Sequence, residues 1–142
     1  MCLTLMVSVA AQDRELLERA AREATATGLS VKVEHPPKWP WARQAPVRAT
    51  ISEEGGCACS LLADDADWNA DSWAMRPEIL DRLAETIRIL LEEGPARLTI
   101  EALWIGEAPH QTTKTTAAEL VALARSSRLG TKTTYELVRN GA

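Results

Sequence analysis

Residues 3–33 read LTLMVSVAAQDRELLERAAREATATGLSVKV, and their reading decides the fold. The period changes twice. Over 3–9, Leu3, Leu5, Val7 and Val9 share one face while Thr4 and Ser8 share the other, the two-residue repeat of a half-buried strand. Over 12–27, Leu16, Leu17, Ala20, Ala21 and Ala24 recur at helical spacing, with Arg14, Glu18, Arg22 and Glu23 mostly on the other side. Gly28 follows, where a helix often ends on a left-handed residue. Leu29, Val31 and Val33 then alternate with Ser30, Lys32 and Glu34. The expectation is strand, helix, strand.

The same alternation decides how the apolar start is read. No basic residue precedes it and the stretch is short, so a strand is expected rather than a secretory leader. No run approaches the roughly 20 apolar residues of a membrane span. A soluble cytoplasmic chain is expected, and Arg outnumbering Lys twelve to four suits a GC-rich bacterial source.

Downstream, residues 35–46 read HPPKWPWARQAP, and four prolines in this run argue for an extended loop with no helix. Val47 to Ser52 alternates as a strand, Glu53-Glu54-Gly55-Gly56 reads as a turn, and Cys57 to Leu62 is expected to return as a hairpin strand. Residues 63–76 read as a polar loop. Pro77 suits the first position of a helix whose apolar stripe is Ile79, Leu80, Leu83, Ile87, Leu90 and Leu91, ended by Gly94-Pro95. A strand follows through Leu98, Ile100, Ala102 and Trp104, and 105–115 reads as a loop. Thr116 with Glu119 forms a capping box opening a short helix, and Thr133 to Val138 reads as a last strand.

This order predicts one α+β domain over residues 1–142. The expected architecture is a two-layer sandwich, with helices on one face of a mainly antiparallel sheet. The plan resembles a ferredoxin-like split βαβ, with an extra hairpin strand and a C-terminal αβ addition. The composition agrees, since 142 residues with 46% apolar and 25% charged side chains is that of an ordinary globular domain.

Charge argues against nucleic acid as a partner. The chain carries 16 Lys and Arg against 20 Asp and Glu, a formal net charge of −4, and no basic stripe. The charge is uneven. Residues 53–71 hold Glu53, Glu54, Asp64, Asp65, Asp67 and Asp71 with no cation, whereas 108–142 hold Lys114, Arg125, Arg128, Lys132 and Arg139 against Glu119 and Glu136. Such asymmetry steers charged partners, although solvated loops account for it as well.

Three local features bear on function. Cys57 and Cys59 form a C-x-C that a strand would place on one face, and paired thiolates suit zinc or copper(I). Zinc needs two further ligands, for which Cys2, His35, His110 and an aspartate of 64–67 are the candidates. The competing reading is of two small core residues. Asp67, Asn69, Asp71 and Glu78 match the spacing of a calcium loop, but Ser72 stands where that loop needs glycine and Pro77 interrupts it. The competing reading places Glu78 at the positive end of a helix.

The third feature is tryptophan: five Trp, one Tyr and no Phe. Trp104 falls on the face of Ile100 and is expected in the core. Trp39 and Trp41 flank Pro40, and Trp68 and Trp73 lie in the acidic loop. Tryptophans on loops line ligand pockets or anchor protein interfaces, unless each indole folds down over the core edge. Ser60 and Ser126-Ser127 lack the context of a nucleophile, and His35 and His110 sit beside prolines in loops.

The leading expectation is a non-enzymatic binding module acting through loops 35–45 and 63–76, with Trp39, Trp41, Asp64, Asp65, Asp67, Trp68 and Trp73 at its surface. Its partner would be a protein, a basic one by analogy with small acidic inhibitors, or a small molecule. The alternatives are a thiol-based metal or redox protein using Cys57 and Cys59, and a small enzyme with an Asp or Cys centre in 57–71. A homo-oligomer is expected because open sheet edges tend to be covered.

Overall fold

The alternation at the start of the chain produces the central strand β1 (Leu3–Val9), which has a neighbour on each side. A computed structural model describes residues 3–53, 61, 72–73, 75–104, 109, 111–126, 129–130 and 133–139. After β1 come α1 (Arg14–Thr27), β2 (Ser30–Val33), β3 (Val47–Ser52), β4 (Ser72–Trp73), α2 (Pro77–Glu92) and β5 (Arg97–Trp104). The remaining elements are β6 (Gln111–Thr115), α3 (Ala117–Arg125), β7 (Leu129–Gly130) and β8 (Thr133–Val138). The fold is α+β, with three helices and a six-stranded sheet in the order β2-β3-β1-β5-β8-β6.

The sheet is mixed rather than mainly antiparallel. The pairs β1–β3, β1–β5, β2–β3 and β5–β8 are antiparallel, but β6 joins β8 in parallel, with α3 in the connection between them. The expected loop 105–115 therefore contains a strand. Its sequence, QTTKT, shows no alternation because residues 111–114 are all exposed at the sheet edge. Only the threonines' β propensity marked it.

Both edges of β3 are occupied. Val47 to Ile51 pair with β1, and Ala49 to Ser52 pair with β2. The expected hairpin partner 57–62 lies outside the described residues except for Leu61, which is fully buried. Within 63–76, read as loop, Ser72 and Trp73 pair with Gly130 and Leu129 as a separate two-stranded sheet. A two-residue strand leaves no periodicity to detect.

The core follows the predicted stripes. Leu5, Val7, Ala49, Ile51, Ile100, Ala102, Tyr135 and Leu137 are the buried alternates of four strands. Against them pack Leu17, Ala20, Ala21 and Ala24 of α1 and Ile79, Leu83, Ile87 and Leu90 of α2. Helix α2 lies between α1 and α3. Pro77 opens α2 at the position where a missing N–H costs nothing, and Thr116 and Glu119 close the capping box on α3.

Gly28 corrects one expectation. Its φ is −125°, outside the left-handed region. The glycine answers a close approach instead, since a Cβ there would collide with Thr86 Oγ1. That hydroxyl accepts the Leu29 N–H at 2.8 Å and donates to the Arg82 carbonyl at 2.8 Å. Arg82 Nη2 in turn donates to the Gly28 carbonyl at 3.0 Å. The corner between α1 and β2 is thereby fixed to α2.

Candidate binding loop

The proline-rich segment is held at both ends by backbone. Glu34 N–H donates to the Arg48 carbonyl at 2.9 Å, extending the β2–β3 pairing past Val33. Arg14 Nη1 donates to the Glu34 carbonyl at 2.9 Å, tying the start of the loop to α1. The tip is not extended throughout, as the prolines had suggested. Residues Pro40–Gln44 form a 3-10 helix with Pro40 in its first turn. Proline suits that position because its fixed φ is already helical. The Ala42 N–H donates to the Trp39 carbonyl at 3.0 Å, and the Ala45 N–H to the Ala42 carbonyl at 3.1 Å.

This turn leaves Trp39 65% exposed and Trp41 80% exposed. Neither indole folds down over the core edge. Among the described residues the only other large apolar side chain so exposed is Val138, at 36%. Two neighbouring tryptophans in water are costly for a surface with no partner, because each carries one of the largest apolar areas of any side chain.

Beneath the loop lies an open cleft of about 490 Å³, lined by Arg14, His35, Arg43 and Arg48 together with Pro36, Pro37 and Pro46. A second hollow of about 470 Å³ runs along α1 and β2 and shares Glu34, His35 and Pro36 with the first. Arg22 and Lys32 line it. The sequence reading missed this cation cluster, having placed Arg14 and Arg22 only on the side of the helix away from its apolar stripe. The available signal was that residues 35–46 carry Lys38 and Arg43 and no acid.

The other sequence candidates are not brought to this loop by any described contact. Cys2, Cys57, Cys59, Asp64, Asp65, Asp67, Trp68, Asn69, Asp71 and His110 lie outside the described residues, as do the side chains of Trp73 and Trp104. Glu78 stands in the first turn of α2, with its carboxylate 3.7 Å from Arg76 Nε. That position suits the helix's positive end. Among the described residues no three His, Cys, Asp or Glu side chains converge as a metal would need, and no helix is long and apolar enough to cross a membrane.

Glu53, expected in a turn, forms a polar clamp at the entrance to α2. Its carboxylate accepts from Arg76 Nη2 at 2.7 Å and lies 3.8 Å from Arg82 Nη1. Arg76 N–H also donates to the Leu61 carbonyl at 2.9 Å. This cluster ties segments together and lines none of the described hollows. A comparison with protein-family models, curated proteins and solved structures gives no significant match.

Proposed function

We propose that this chain is a non-enzymatic binding module that engages a partner through Trp39 and Trp41. The observation that carries the reading is their exposure on a loop whose backbone is hydrogen-bonded into a turn. Tryptophan is the side chain most enriched among residues that dominate interface energy. A pre-ordered turn presents it with little conformational entropy left to lose on binding. The acidic segment with Asp64, Asp65, Asp67, Trp68 and Trp73 belongs to the same proposal as a second contact surface.

The scaffold reading belongs here too. We infer a two-layer, ferredoxin-like split βαβ formed by β1, α1, β2, β3, α2 and β5, extended by β8 and β6. Support comes from the order β2-β3-β1-β5 and from the two helices that interrupt those strands. Such a scaffold leaves function to its loops.

The test uses the tagged chain and its Trp39→Ser/Trp41→Ser variant as parallel baits in extract from the source cells. Both side chains are exposed, so the variant is expected to keep the wild-type circular dichroism and melting temperature. A partner retained by the wild type and lost with the variant, then reproduced with purified components, supports the reading. Identical retention by both proteins rejects it.

A further inference from the structure

We propose that the groove beneath the Trp39–Trp41 turn recognises an acidic polypeptide segment, a sharper statement that rests on the binding-module reading above. The two joined hollows are lined by Arg14, Arg22, Lys32, Arg43 and Arg48 against Glu18 and Glu34. Of these acids, Glu18 already faces Arg14 at 3.5 Å. No described carboxylate lies within ion-pair distance of Arg22, Lys32, Arg43 or Arg48, whereas Arg76, Arg82 and Arg88 elsewhere are all paired. The lining of the two hollows thus carries five cations against two acids, and four of those cations have no ion-pair partner among the described residues.

The groove favours recognition by side chains over strand addition. Strand β2 is the sheet edge that borders it. Along that edge Thr25 Oγ1 accepts the Val31 N–H at 3.0 Å and donates to the Val31 carbonyl at 3.4 Å. The outward backbone groups of Val31 are therefore taken, and an arriving strand cannot use them. What remains on offer is guanidinium donors, suited to carboxylates in paired geometry, beside the surfaces of Pro36, Pro37 and Pro46, suited to apolar residues between the acids. Arg14 is positioned for this by its bond to the Glu34 carbonyl. A polyanionic nucleic acid fits less well, because the cations form a short cluster on an acidic molecule rather than a stripe. The basic partner that the acidic loop suggested in the sequence does not suit this groove.

The experiment titrates the full chain into three fluorescein-labelled 15-residue peptides sharing the same Tyr, Leu and Pro positions. The remaining positions are all Glu, all Gln or all Lys. A labelled oligothymidine of equal length is the fourth probe, and anisotropy is read at low and moderate salt. The Glu peptide is expected to bind at least about tenfold more tightly than the Gln or Lys peptide, and to weaken as salt rises. Arg43→Glu/Arg48→Glu, two exposed positions, should remove that preference without changing the melting temperature.

The outcomes separate the two claims. Binding of the Gln or Lys peptide as tightly as the Glu peptide, lost with Trp39→Ser/Trp41→Ser, overturns the acidic partner and leaves the tryptophan reading standing. Preference for the Glu peptide that survives the tryptophan variant keeps the charged groove and overturns the tryptophan reading. Tighter binding of oligothymidine makes the groove a nucleic-acid site and overturns the proposal. Binding of no probe overturns it as well.

Discussion

Gly28 and Thr86 lie so close that a single added carbon on Gly28 would collide with the Thr86 hydroxyl. That hydroxyl is fully buried and satisfies the Leu29 N–H. Gly28→Ala is expected to cost about 1–3 kcal/mol by overpacking. Thr86→Ala is expected to cost about 1–3 kcal/mol by stranding the Leu29 N–H. The two should not add, because removing the hydroxyl makes room for the new methyl group. Urea unfolding of the two single variants and the double variant checks this. A double-variant loss smaller than the sum by about 0.5 kcal/mol or more is expected, and simple additivity would show that the contact does not govern the corner.

The second prediction concerns the layer between helices and sheet. Ile87 is fully buried on α2, so Ile87→Ala is expected to lose about 2–5 kcal/mol and Ile87→Val about 0.5–1.5 kcal/mol. Asp81 on the same helix is exposed, and Asp81→Ala should stay within about 0.5 kcal/mol of wild type. Chemical denaturation of the three variants checks the ordering. A small loss at Ile87→Ala would mean that this side of α2 is not packed on the core.

How much of this was legible in the sequence depends on what each residue had to signal. The stripes of β1, α1, α2, β5 and β8 were readable because one face of each is buried and the other is not, which imposes a period. Strand β6 carried no such signal, since Gln111, Thr112, Thr113 and Lys114 are all exposed, and missing it made the sheet look antiparallel. Strands β4 and β7 are too short to carry a pattern. The exposed pair Trp39 and Trp41 could be singled out from the loop sequence, but not its exposure, since proline content does not reveal a 3-10 turn. The cation cluster was hidden because Arg14, Arg22, Lys32, Arg43 and Arg48 are scattered over 35 positions and only the fold joins them.

The third prediction uses the capping box. Thr116 Oγ1 accepts the Glu119 N–H at 3.1 Å, and Glu119 Oε2 accepts the Thr116 N–H at 3.2 Å. Helix α3 has only nine residues, a length marginal by itself in water. Thr116→Ala is expected to cost about 1 kcal/mol, and Thr116→Ser or Thr116→Asp to cost little. Amide hydrogen exchange locates the effect. Faster exchange confined to the first turns of α3 is expected, and unchanged exchange there would show that packing on Leu120 and Ala124 alone holds the helix.

The last prediction concerns acid. Arg88 donates from Nε and Nη2 to both carboxylate oxygens of Glu85, at 2.9 and 2.5 Å, and from Nη1 to Glu92. These bonds hold the Glu85 carboxyl below its ordinary value, chiefly through the hydrogen bond from Arg88 and then its charge. A carboxyl whose pKa is lower in the folded chain stabilises the fold above the ordinary carboxylate range, and that contribution fades as pH falls through its folded value. Arg88 is held further above its already high value and stays charged throughout. Both side chains are substantially exposed, so the effect is a small one that salt screens. Arg88→Gln should therefore lower the melting temperature slightly at neutral pH and low salt. The gap to wild type should narrow in strong acid and in about 1 M salt. A gap independent of both pH and salt would assign Arg88 a packing role along α2 in place of an electrostatic one.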